Sequence, residues 1–145
     1  MVIVCDCKYR SAITAIRAFA QLGEEVIAVT ESSSPSPSAF FSKYVKKKVV
    51  FSSDKEVYTR ELLALCQSYE KPVIFPVGSF TLSVISENKE LFSKCASFCV
   101  AATGTLDNLN DKKWVKDFAK MNGLSTPIVY NEGEKVDFPV VVKPF

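Results

Sequence analysis

Residues 49–77 read VVFSSDKEVYTRELLALCQSYEKPVIFPV, and three segments of different character follow one another there. Residues 49–51 form a short β-branched and aromatic run, the composition of a strand. Ser53 and Glu56 have the spacing of a capping box. Beyond them Tyr58, Leu62, Leu65, Cys66 and Tyr69 recur every three or four residues, which makes one apolar stripe of a helix. Pro72 and Pro76 then bound a second strand-like run, since neither can donate a ladder hydrogen bond. Strand, helix and strand in that order make a βαβ unit, the connection that parallel strands require.

The same alternation extends outward. Residues 2–5 (VIVC) are a first apolar run, and Ser11 is placed to cap a helix whose Ile13, Ile16 and Ala20 share a face, with Gly23 as its stop. Residues 26–29 are a second strand. The segment ESSSPSPSAFFSKYVKKK (31–48) opens with serine and proline and reads as a loop. After the quoted stretch, SFTLSVISENKELFSKC (79–95) is helical in one or two pieces, and SFCVA (97–101) is a fifth strand. Short strands separated by helices give an α/β fold: a Rossmann-like, doubly wound parallel sheet over residues 1–103.

From Thr105 the rhythm changes. The stretch TGTLDNLNDKKWVKDFAKMNGLSTP (103–127) holds a short helical turn, then a longer helix capped by Asn110 or Asp111 and ended by Gly123. Residues 128–130 and 138–143 read as two further strands around a polar turn at Gly133. Residues 104–145 are therefore a linker helix and the opening of a second unit.

Composition narrows the chemistry. The chain has 145 residues and is 48% hydrophobic, enough for a domain that buries roughly 70% of its unfolded surface. Eighteen basic against 16 acidic residues leave a charge of +2, which supplies no general attraction for nucleic acid or an anionic membrane. No apolar run approaches the roughly 20 residues of a membrane helix, and the amino terminus lacks signal-peptide character. Five cysteines in irregular spacing indicate neither a disulfide framework nor a zinc site, so the chain reads as cytoplasmic with reduced thiols. The absence of histidine removes Ser-His-Asp and Cys-His mechanisms.

Ligands of doubly wound sheets bind beyond the carboxyl ends of the strands. The first such turn, CDCKYRSA (5–12), contains no glycine, so the dinucleotide fingerprint is absent and NAD is disfavoured. Lys8 and Arg10 stand before a helix amino terminus, where they either favour an anionic substrate or are solvated loop cations. Cys5 and Cys7, two apart in an extended strand, point to one face, with Cys5 buried and Cys7 partly exposed. Lys46, Lys47 and Lys48 read as a solvated edge that guards a strand from aggregation. Gly78 permits a sharp turn, and Ser79 or Thr81 either caps the next helix or contacts substrate. Lys112 lies in the first turn of a helix, where a cation opposes the dipole. Lys143 shares a face with Val141 in an apolar strand, where an unpartnered ammonium is costly. An anion between them explains both lysines; solvent at the strand end explains Lys143 alone.

Three segments in order, residues 49–92, then LNDKKWVKDFAKMNGLSTP (109–127), then FPVVVKPF (138–145), resemble the ATP-grasp superfamily, nearest its carbamoyl-phosphate-synthase-like and carboxylate–amine ligase members. The resemblance spans nearly the whole chain but only the beginning of such an enzyme. It implies that residues 1–103 are the pre-ATP-grasp domain and that residues 104–145 start the ATP-binding subdomain. The family's N-D-K and P-V-V-V-K-P motifs place Lys112 and Lys143 on the ATP phosphates. The implied reaction is phosphoryl transfer from ATP, with Mg2+, to a small-molecule carboxylate, followed by attack of an amine on the acylphosphate. The glycine-rich loop, the magnesium-holding acidic and Asn residues and the adenine hinge fall beyond Phe145. The chain alone is thus expected to carry one edge of an ATP site, with no catalytic or metal-ligating residues of its own. No nucleic acid or membrane partner is expected, and strands exposed by truncation favour a homodimer. The alternative is a stand-alone Rossmann-like module that binds a small anion or a protein without catalysis. A phosphoacceptor receiver domain is weak, because the acidic cluster it needs after the first strand is only Asp6.

Overall fold

A computed structural model describes every residue except Ser34, Pro35, Val129, Asn131, Glu132 and residues 142–145. The chain divides into two compact units, Met1–Thr103 and Gly104–Phe145.

Four parallel strands build the first unit: β1 (Val2–Val4), β2 (Val26–Glu31), β3 (Val45–Phe51) and β4 (Val73–Phe75), in the order β3-β2-β1-β4. The order reverses beside β1, as in doubly wound folds. Every residue of β1 and β2 is buried, because both sheet faces are covered. On one face α1 (Ser11–Gln21) and a 3-10 turn (Ser38–Phe41) press Ala12, Ile16, Ala39 and Phe40 onto Val2, Val4, Val26 and Ala28. Across the sheet, α2 (Lys55–Gln67) carries Tyr58, whose ring meets Phe51 at 5.4 Å and Phe80 at 5.0 Å, both edge-on. Phe80 belongs to α3 (Ser79–Glu87), which α4 (Lys89–Ser93) follows. Tyr58, Leu62, Leu65 and Cys66 are buried, so the stripe read from residues 49–77 is the face that α2 packs inward. Burying a side chain such as Leu62 is worth about 1.5–3 kcal/mol.

The second unit contains α5 (Thr103–Asn110), which starts at the boundary, and α6 (Lys112–Met121). Asp111 caps α6, accepting from the N–H groups of Lys113 at 2.8 Å and Trp114 at 3.1 Å. Gly123 ends this segment with a φ of 69°, a conformation that glycine adopts freely.

Several local expectations change. Strand β3 begins at Val45 and includes Lys46, Lys47 and Lys48, which the composition had assigned to a loop. As the sheet's edge, β3 has room for exposed lysines, the aggregation-guarding arrangement expected of them. The cap of α2 is Asp54, which accepts from Val57 N–H at 3.0 Å; Ser53 instead meets Ser32, and Tyr69 falls after the helix. Arg10 precedes α1 without a side-chain bond, and Ser11 is already helical. A turn in which Tyr9 N–H reaches Asp6 C=O starts the helical backbone early. The fifth strand shrinks to one bridge between Val73 and Ser97. Three-residue β4 offers little to pair with, and the Ala101 carbonyl accepts from Ser86 Oγ at 2.9 Å. Ile128 and Tyr130 lie outside regular structure, as do residues 138–141. Lys143 lies outside the described residues, and with it the end of the strand expected there.

Candidate functional site

The carboxyl end of β1 is closed by its own chain. Asp6 has a φ of 56°, a left-handed conformation that is uncommon outside glycine but that aspartate and asparagine enter more often than other residues. The resulting kink breaks strand alternation, so Cys5 and Cys7 face opposite ways. Cys5 lies on the side of Tyr58, while Cys7 joins the α1-side core and is fully buried, contrary to the common face and partial exposure expected of the pair. The Asp6 carboxylate accepts from Gly78 N–H at 2.8 Å and from Thr81 Oγ1 at 2.9 Å. Gly78 is the N-cap of α3, so the carboxylate stands where a bound anion would meet that helix. A Cβ on Gly78 would lie 2.4 Å from Tyr9 Cε2 and 3.1 Å from Asp6 Cγ. Only glycine permits this approach.

A chain of polar groups runs inward from Asp6. Thr81 and Tyr58 hydroxyls are 2.8 Å apart. An ionised Asp6 accepts only; Thr81 therefore donates to it, and Tyr58 donates to Thr81. Burial raises the pKa of Asp6, with the Gly78 and Thr81 hydrogen bonds opposing the rise. Burial also raises Cys5 and Tyr58, and pushes Cys7 up to about 12. The thiols are neutral near pH 7 and unsuited to nucleophilic attack.

Lys8 forms an ion pair with Glu31 at the end of β2, and this hydrogen bond raises its pKa. Glu31 is buried, and its Oε2 has no hydrogen-bond partner among the described residues. Arg10 is exposed, as is Ser79, the first residue of α3. Neither Ser79 nor Thr81 caps that helix, because Gly78 holds the cap position without a side-chain bond. The fold thus gathers Lys8, Arg10, Ser79 and Thr81 near the strand carboxyl ends, but Thr81 is fully buried and bonded to Asp6 and Tyr58. Sequence reading missed Asp6, Tyr58 and Glu31. The available signal was an acid ending an apolar run and a glycine and threonine three apart after a later strand.

In the second unit Lys112 is exposed at the first position of α6, beside its Asp111 cap. Trp114 and Phe118 stack at 4.9 Å on the same helix. No group of three His, Cys, Asp or Glu side chains converges among the described residues. Among the described residues no helix is long and apolar enough to cross a membrane.

No protein-family model and no characterised protein sequence matches the chain. Solved structures do. An L-amino acid ligase from Bacillus licheniformis superposes with a TM-score of 0.58 at 17% identity, over 95% of this chain and 35% of the ligase chain. The biotin carboxylase domain of a single-chain bacterial carboxylase gives 0.52 at 22% identity, over 84% and 29%. The biotin carboxylase domain of a thermophilic 2-oxoglutarate carboxylase, solved with bicarbonate, gives 0.55 at 18% identity, over 86% and 28%. At these identities the likeness is one of fold, an α/β Rossmann-like parallel sheet shared with the ligase and the carboxylase domains. The chain spans about a third of the length of the solved chains it matches.

Proposed function

We propose that the chain is the amino-terminal part of an ATP-grasp ligase-like enzyme that activates a carboxylate as an acylphosphate for attack by an amine. One observation carries this reading: nearly all of this chain superposes on a ligase and on carboxylases, yet it accounts for only 28–35% of each. In the reaction a carboxylate oxygen takes the terminal phosphoryl group of ATP and ADP leaves. The amine nitrogen then attacks the acyl carbon, and inorganic phosphate departs. Lys112 and Lys143 hold ATP phosphates and stabilise charge as the phosphoryl group transfers. Mg2+, when bound at those phosphates, would supply further neutralisation of their charge.

Lys8, Arg10 and Ser79 form the substrate-facing rim at the strand carboxyl ends, with Thr81 behind it holding Asp6. The Asp6 carboxylate already fills the anion position at α3, which favours substrate contact through the exposed rim over a phosphate within the turn. That same filled position supports the second reading, a stand-alone module that recognises partners by its surface. Calorimetric titration of the chain with Mg-ATP separates the accounts. Heat no greater than nonspecific dilution is expected, because one edge of a site holds nucleotide poorly. Tight magnesium-dependent binding contradicts the incomplete site, and tight binding of another nucleotide favours the module.

A further inference from the structure

A second candidate site lies at the opposite end of the sheet. Arg17 and Gln21 from α1 join Phe41, Ser42, Lys43 and Tyr44 around a depression of about 550 Å³, within the usual size of small-molecule sites. Gln21 ends α1, and Ser42–Tyr44 directly precede β3, so the depression adjoins strand amino ends, away from Asp6 and Gly78. Its chemistry is consistent. Phe41 is 78% exposed, so its ring is open to a ligand. Lys48 Nζ stands 5.8 Å from that ring and Lys43 Nζ 5.2 Å from Tyr44. No carboxylate lines the depression, and the nearby Glu25 is paired with Lys46. Among the described residues Arg17, Lys43 and Lys48 make no ion pair. From Ser32 to Ser53 the sequence contains four lysines and no acid.

We propose that this depression binds an aromatic anion, a ligand whose ring lies against Phe41 and Tyr44 while its phosphate or carboxylate meets Arg17 and Lys43. Ring contact and charge contact would act together: aromatic faces accept flat rings, and guanidinium and ammonium groups bond anionic oxygens. Gln21 and Ser42 offer hydrogen bonds to ring edges.

The test is a two-dimensional NMR titration of the whole chain with adenosine monophosphate, adenosine and inorganic phosphate in parallel. Saturable shifts at the amides of Gln21 and of residues 41–44 are expected with the monophosphate, and at least about fivefold weaker affinity for either half. Phe41→Ala and Arg17→Gln, both at exposed side chains, should each weaken binding while leaving core resonances in place. Three results overturn the proposal: no saturation at these amides, saturation confined to other residues, or equal affinity for phosphate and monophosphate. The last would show a simple cationic patch.

Discussion

The carboxylate of Asp6 accepts the backbone N–H of Gly78 at 2.8 Å across 72 positions of sequence, and it fills the anion position of α3 from within the chain. This contact joins β1 to the turn after β4 where a doubly wound fold ordinarily leaves a crevice for ligand. Replacing it should be costly in stability. Asp6→Ala leaves Gly78 N–H and the Thr81 hydroxyl without an acceptor in a buried place, at about 1–3 kcal/mol each. Asp6→Asn keeps one acceptor and should lose less. Urea denaturation of both variants checks the order, and an Asp6→Ala chain as stable as the parent would refute the contact's importance.

The pH dependence has a defined sign. Burial raises the folded-state pKa of Asp6 above the ordinary carboxylate range. Between those two values the folded state holds a proton that the unfolded chain has released, so stability falls as pH rises through the window and levels off above it. Glu87 shifts the other way, lowered by Lys55 and Ser83, but it is exposed and screened and is common to parent and variant. The stability difference between parent and Asp6→Asn should therefore shrink as pH rises through this window. A difference that is flat with pH, or grows, contradicts a raised Asp6.

Gly78→Ala tests the close approach of Tyr9. The new methyl would sit 2.4 Å from the Tyr9 ring, which is 41% exposed and able to swing away, and 3.1 Å from Asp6 Cγ, which is buried. An overpacking cost of about 1–3 kcal/mol is expected. Adding Tyr9→Ala should recover part of it and not all, because Asp6 cannot move. Full recovery in the double variant would show that Asp6 imposes no constraint.

Tyr58→Phe removes the hydroxyl that donates to Thr81 while leaving the rings of Phe51 and Phe80 in contact. A loss of about 1 kcal/mol is expected, smaller than for Asp6→Ala, because Thr81 retains its bond to the carboxylate. Thermal unfolding of the two variants gives the comparison directly, and a reversed order would sink the proposed direction of donation.

The sheet was legible where burial dominates. The apolar runs at Val2, Val26 and Val73 and the stripe of Tyr58, Leu62, Leu65 and Cys66 follow from side-chain period and proline placement alone. Strand β3 was half hidden, because Lys46–Lys48 lie on an edge where backbone pairing with β2 decides conformation and composition does not. Cys7 was misplaced because one residue, Asp6, leaves the extended region and reverses the faces that follow. The Asp6 network itself is invisible to local pattern, since its partners Gly78 and Thr81 lie more than 70 positions away and meet it only when β4 settles beside β1. The ATP-site pair was read from motif resemblance, and of the two lysines only Lys112 falls among the described residues.

The most direct test of the central claim is to read the coding frame beyond Phe145. The account predicts a glycine-rich loop followed by paired acidic residues, the parts of an ATP-grasp site that Lys112 and Lys143 need for phosphoryl transfer. A stop codon directly after Phe145, with no separately encoded remainder, would contradict it.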